Sequence, residues 1–260
     1  MSKNETPETE EDLAEGTLLS HLVELRSRIL KLGTAVVLVF VVLLPFSKTI
    51  FNFVAEPLVS QLDGGQMIAT NPISVVFTPF KLTFIVALAV AMPIVLYQVW
   101  AFVAPGLYRK ERRFAFPLLA SSIALFYAGI AFAYFVLFPL VFKFLVAFAP
   151  DIVDVLPDIT HYVSFVVMIS FVFGLAFEVP VATVLIVWTG LTTPAKLSKA
   201  RPYVFLGAFV IGMFLTPPDV ISQTILAVPV YLLYELGIVM SRAFSTRRGA
   251  ADDEAVAADS

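Results

Sequence analysis

Six long apolar runs separated by short polar stretches set the pattern of this chain, at about 29–47, 82–104, 114–138, 162–188, 203–216 and 224–241. None alternates with a period of two, and all are longer than ordinary strands, so the pattern predicts helices. A spanning helix needs about 20 mostly apolar residues, and the runs predict an all-α membrane protein with six transmembrane helices. The fifth run, "YVFLGAFVIGMFLT", has 14 residues, or about 21 Å at the helical rise. The sixth is hardly longer. Helices this short thin the bilayer or tuck behind longer neighbours. The third run is expected to continue past Pro139, as a kinked extension, to about Phe148.

Two further stretches are amphipathic. In "SKTIFNFVAEPLVSQL" (47–62), Ile50, Phe51, Phe53, Val54, Leu58 and Leu62 fall loosely at helical spacing, which predicts an interfacial cap over the bundle. In "LSHLVELRSRIL" (19–30) the stripe Leu18, Leu22, Leu25, Ile29 and Leu32 predicts a helix running into the first span. Residues 1–17 and 242–260 are polar, charged or Ala-rich and are expected to be disordered tails around a six-helix domain over 18–241.

Composition agrees with a lipid environment. Hydrophobic residues make up 59% and charged residues 14%, against about 45–50% and about 25% in soluble domains. The first apolar run lacks a small-residue cleavage site and is as long as a span, so it reads as a retained helix. With no cysteine, disulfide and thiolate chemistry are excluded.

The placement of Lys and Arg gives an orientation. Four lie in the segment up to Lys31, four in 105–113, three in 189–201 and three in the tail from Arg242, which is fourteen of the seventeen. The opposite loops hold only Lys48, with Lys81 and Lys143 near helix ends. Cytoplasmic loops carry the basic excess, so both termini are expected to be cytoplasmic and the 47–62 cap to be on the outer side.

Few side chains could carry chemistry. Glu24 suits a surface pair with Arg28 at i,i+4, and Glu111 suits the start of the third helix, where the macrodipole favours an acid. Yet both sit on one basic face, and Glu111 is the only acid in "GLYRKERR" (106–113). Glu178, in "FGLAFEVP", lies inside the fourth run, where a charge costs on the order of 2.5–3.5 kcal/mol. It is either a neutral carboxyl bonded to backbone freed by Pro180 or a polar spot inside a concave, partly wetted surface. Asp219 or Ser222 can cap the sixth helix, and Gln223 is expected to bond a neighbouring helix or partner. His21 and His161 fall on opposite sides without a carboxylate motif, and no G-x-S-x-G or phosphate loop is present. The chain is therefore not expected to be an enzyme or to hold a metal, a cofactor or nucleic acid.

Four segments, in order, resemble signatures of the TatC family, the multispanning core and signal-peptide receptor of the twin-arginine protein translocase. They are "HLVELRSRIL" (21–30), "FVAPGLYRKER" (102–112), "FGLAFEVP" (173–180) and "LTPPDVISQ" (215–223). One departure is Ser74, after "NP", where many relatives carry an acid. The resemblance implies a multi-pass protein of the bacterial cytoplasmic (inner) membrane that binds Arg-Arg signal peptides and exports folded proteins using the proton-motive force. It implies TatA- and TatB-type single-span partners and a homo-oligomer within the complex. It assigns signal-peptide binding to Glu24, Arg26, Phe102, Pro105, Leu107 and Glu111 and an intramembrane polar site to Glu178. Because the fifth and sixth helices are short, their outer ends, with Met213, Thr216, Asp219 and Gln223, are expected to form the partner contact.

Two consecutive arginines in an extended peptide point to opposite faces, so two carboxylates on separate segments meet them better than one cluster does. Each Arg–carboxylate pair can be bidentate, which lysine cannot reproduce. The surrounding basic residues would hold anionic lipid headgroups. A rival reading is a proton-coupled small-solute transporter using Glu178, against which stands the absence of an internal repeat.

Overall fold

The computed structural model describes residues 10–62, 66–103, 115–148, 156–215 and 220–258. All named elements among them are helical. Helix α1 (Glu10–Leu43) passes through a 3-10 turn at Leu44–Phe46 into α2 (Ser47–Val59). α3 (Ser74–Val90) and α4 (Met92–Val103) follow, then α5 (Ala115–Phe132), a π turn at Ala133–Leu137 and α6 (Phe138–Ala147). The chain continues with α7 (Ile159–Ala176), α8 (Val179–Trp188), the short α9 (Pro194–Lys199), α10 (Arg201–Leu215) and α11 (Val220–Ala258).

Four stretches are long and apolar enough to cross a membrane: Arg26–Val59, Phe116–Ala147, Ile159–Trp188 and Val220–Ala243. Among the described residues these are four, or five if α3 and the first part of α4, bent by 44° to each other, are one span. α10 has only 15 residues, short as its sequence implies. The second helical stretch begins at Ser74 rather than at 82, because an Asn71 turn starts it: Ser74 Oγ donates to the Asn71 carbonyl at 2.6 Å. At the chain ends, where disorder is expected, α1 already begins at Glu10 and α11 continues to Ala258. An established helix propagates readily through Ala- and Glu-rich sequence.

Prolines place the breaks. A helical proline has no N–H for the carbonyl four residues back, and in hydrocarbon that carbonyl needs another donor. Tyrosines supply it. Pro93 releases the Ala89 carbonyl at the α3–α4 bend, and the Tyr127 hydroxyl donates to Ala89 O at 3.2 Å and to Val90 O at 3.3 Å. Pro57 releases the Phe53 carbonyl in α2, which the Tyr134 hydroxyl meets at 2.6 Å. The adjacent Val54 carbonyl takes the Tyr162 hydroxyl, also at 2.6 Å. Pro139 is handled differently: the helix widens into the π turn, where the Phe138 N–H reaches back five residues to Ala133 O. The expected extension past Pro139 therefore exists, with its irregularity just before the proline.

The expected cap is α2, packed on α3 and α6 at the end of the bundle that holds Asp158. Ala55 and Leu58 enter the core, whereas Phe53 is 61% exposed and stacks on Tyr134 with centroids 4.8 Å apart. The core continues through Leu82, Phe138, Val163, Ile169 and Phe173. α5 and α7 approach so closely that a Cβ on Gly129 would lie 2.9 Å from the Gly174 Cα. Such contact matters because helices in lipid gain little from hydrophobic burial and associate through packing.

At this end Asp158 caps α7, accepting from the N–H groups of Thr160 (2.8 Å) and His161 (3.2 Å). It also takes the Thr70 N–H at 3.0 Å and the Thr70 hydroxyl at 2.7 Å. The Thr70 N–H, then its hydroxyl, hold the carboxyl well below the usual carboxylate range.

Two outcomes follow. Tyr134→Phe should destabilise the detergent-purified protein by about 0.5–1.5 kcal/mol. It should cost much less in a Pro57→Ala background, where residue 57 regains an N–H for Phe53. Equal losses of thermal stability in both backgrounds would refute the tyrosine-for-proline account. For Asp158, the depressed folded pKa means its contribution is present above the unfolded value of about 3.9 and fades as pH falls toward the folded value. Asp158→Asn should therefore lower Tm at neutral pH, and the gap to the parent should narrow below about pH 4. A gap independent of pH would show that the charge contributes nothing.

Candidate functional site

The first candidate face is built on α1 and the end of α4. Arg28 Nη1 donates to Gln98 Oε1 at 2.9 Å and to Gln98 O at 3.2 Å, and Nη2 approaches Ala101 O at 3.5 Å. These acceptors lie in the last turns of α4, where the helix dipole favours a cation. Arg28 thus ties the start of the first span to the base of the segment carrying Glu111. Arg26 is exposed and, with Ser27, Leu30 and Lys31, lines an open groove of about 590 Å³ along α1. Glu24 lies on α1 and Phe102 on α4, but their side chains are outside the described part. Pro105, Leu107 and Glu111 lie outside the described residues.

Glu178 sits at a helix break. Pro180 cannot offer an N–H to the Ala176 carbonyl, and α7 ends there, leaving Phe177 and Glu178 between α7 and α8. The expected single helix over 162–188 is therefore two, with Glu178 as the N-cap residue of α8, although its side chain makes no capping bond. Oε1 is buried without a hydrogen-bond partner, which does not fit a carboxyl bonded to freed backbone. On α5 the buried Ser122 Oγ accepts the Trp100 Nε1–H at 3.4 Å.

Sequence reading passed over Glu235, a second acid inside an apolar run. Arg201 Nη2 meets its Oε2 at 2.6 Å, and the Tyr231 hydroxyl donates to Oε1 at 2.8 Å. Nearby, Tyr234 donates to Leu197 O at 2.7 Å, and Arg242 donates to Ser198 Oγ at 2.7 Å. The signal was the one used for Glu178, an ionisable residue within a span. Its Tyr at i−4 and the arginine opening α10 are both in the sequence.

Of the expected partner-contact residues, Met213 is 49% exposed on α10, and Gln223 is half-buried on α11. A Cβ on Gly212 would lie 3.6 Å from Gln223 O, so the two helices meet here. Thr216 and Asp219 lie outside the described residues. An apolar recess of about 550 Å³ opens between α2, α3, α5 and α7, lined by Phe53, Leu82, Tyr127, Tyr134 and Phe171 among others. Glu178 is not among its lining residues.

Comparison with known proteins agrees with these features. Residues 20–229 match the family described as "TatC: Sec-independent protein translocase protein (TatC)". The chain is 55% identical over 226 residues to the Sec-independent protein translocase protein TatC of Escherichia coli (strain K12), covering 86% of this chain and 88% of that one. To the protein of the same name from Haemophilus influenzae it is 51% identical over 238 residues, covering 91% of each. The fold superposes on the structure titled "Crystal Structure of Twin Arginine Translocase Receptor- TatC" with a TM-score of 0.76 and 35% identity, covering 86% of this chain and 98% of that one. The chain belongs to the TatC family of Sec-independent protein translocase proteins, multi-pass proteins of the inner membrane.

Proposed function

We propose that this chain is the subunit that receives twin-arginine signal peptides, with Glu24 and Glu111 each taking one guanidinium and Arg26 beside them. The observation that carries this reading is the Arg28 bridge to Gln98 and Ala101. It draws the α1 segment that holds Glu24 and Arg26 against the base of the segment that holds Glu111. Two acids on separate segments then face one extended peptide, whose adjacent side chains diverge. Phe102, Pro105 and Leu107 flank the second acid in sequence and form the apolar surround of the same site. The neighbouring lysines and arginines hold anionic lipid headgroups and set a repulsive background that a peptide lacking the arginine pair does not overcome.

The chain crosses the membrane six times, with both termini cytoplasmic, and exports folded proteins with TatA- and TatB-type partners, using the proton-motive force. More than one copy acts in the complex. The partner helix contacts the end of α10 and the start of α11, where Met213 offers adaptable packing and Thr216, Asp219 and Gln223 leave polar groups for a second helix to satisfy. Glu178 acts after signal binding, as a polar point within the membrane.

Glu24→Ala and Glu111→Ala should each weaken binding of a twin-Arg peptide at least about tenfold, since each removes one charge-assisted pair, while the protein stays inserted. A Lys-Lys peptide should bind poorly to the parent protein. Unchanged crosslinking of the twin-Arg peptide in both variants would sink the assignment. For the partner contact, the absence of native cysteine makes Met213→Cys and Gln223→Cys clean probes. Both should crosslink to a cysteine in the single-span helix of a TatA- or TatB-type protein, and failure of both would move the contact elsewhere.

A further inference from the structure

Helix α1 uses one side against the bundle. Among its described side chains Val36 is buried, and Arg28, Leu32, Val39 and Phe40 are half-buried at matching helical spacing. Phe40 meets Phe84 of α3 with ring centroids 5.6 Å apart, and Arg28 is tied to α4. The opposite side, with Ser27, Leu30, Lys31, Thr34 and Leu38, is exposed and forms the open groove of about 590 Å³.

The groove has two unlike halves. At one end Arg26, Ser27 and Lys31 supply two cations and a hydroxyl. Among the described residues no carboxylate pairs with either cation. Toward the other end the lining is Leu30, Thr34 and Leu38. The Thr34 hydroxyl donates within the helix, to Leu30 O at 2.9 Å, so this half offers no free donor. Arg26 and Leu38 are twelve positions apart, or about 18 Å at the helical rise. One leaflet is about 15 Å of hydrocarbon beneath its headgroups.

We infer that this groove holds one anionic phospholipid, with its phosphate among Arg26, Ser27 and Lys31 and an acyl chain along Leu30, Thr34 and Leu38. Charge complementarity selects the occupant. An apolar helix of another chain would run the full hydrocarbon height, about 30 Å, and would leave both cations unmatched. A phosphodiester brings an anion to the depth of the cations with its chains already in hydrocarbon. The phosphate also offsets the cation that stands two positions from Glu24. Placing the lipid in the cytoplasmic leaflet rests on the orientation proposed above.

The test follows the lipid directly. Val37→Cys, exposed next to Leu38, is labelled with bimane in the full-length protein. The labelled protein is reconstituted into phosphatidylcholine vesicles doped with dibromo-acyl phosphatidylglycerol or dibromo-acyl phosphatidylcholine. Phosphatidylglycerol should quench the label at a mole fraction at least about fivefold lower, as expected of one basic residue acting on an anionic lipid. Lys31→Ala should remove most of that preference and Lys31→Arg should keep it. Thr34→Trp, which fills the groove, should remove it with both cations in place. Lys199→Ala deletes a cation outside the groove and should leave the preference as it is. Equal losses in Lys31→Ala and Lys199→Ala would reduce the effect to a diffuse surface potential and overturn the site. Equal quenching by the two lipids in the parent would overturn it as well. So would an absence of quenching by either, the result expected if another chain covers α1. Both leaflets carry the same lipids and no signal peptide is present, so neither the orientation nor twin-Arg binding enters the outcome.

Discussion

In hydrocarbon every backbone carbonyl needs a donor, and this bundle is arranged around the places where proline withholds one. Pro93, Pro57 and Pro139 release carbonyls in three different spans or caps. Two of these are met by tyrosine hydroxyls from other helices, Tyr127 on Ala89 and Tyr134 on Phe53, while Pro139 follows directly on a π turn. Each tyrosine bond is also a tertiary contact. The repair of a break in one helix thus becomes the device that locks a second helix to it. α2, too short and too polar at its start to be stable alone, is held to the bundle by two such bonds and by the entry of Ala55 and Leu58 into the core.

Pro180 belongs to the same set with a different outcome. It ends α7 and places an acid at the break, and no tyrosine arrives. At this break one carboxyl oxygen of Glu178 is buried without a hydrogen-bond partner. Glu235 shows what the fold does with an acid whose role is structural: an arginine and a tyrosine close around it and fasten α10 to α11. Placed side by side, one acid has both oxygens engaged between helices and the other keeps one oxygen without a partner.

The same logic of tethering acts at the Arg28 end. A guanidinium presents several donors in one plane, and here they close on the side chain of Gln98 and on carbonyls of the last α4 turns. That fixes the end of α4 relative to α1. The helical segments that carry Arg26 and Phe102 are joined by a contact that involves neither residue.

Much of this was legible in the sequence. The apolar runs exceed what a soluble core can bury, so helices in lipid followed from composition and length. The shortness of α10, the extension past Pro139 and the amphipathic α2 were readable because each depends on the order of residues within one segment. The acids Glu24, Glu111 and Glu178 stood out as charges in places where a charge is costly or unlike its neighbours. Tertiary structure decided the rest. The tyrosine bond at the α3–α4 bend, the ion pair of Glu235 and the Trp100–Ser122 bond all depend on donors from other helices. Tyr134 and Phe53 are 81 positions apart, and Tyr162 and Val54 are 108. A hydropathy pattern records which face of one helix is apolar. Which hydroxyl reaches which freed carbonyl is settled only when the helices pack, because a hydrogen bond needs its atoms within about 3 Å and that proximity is a property of the bundle.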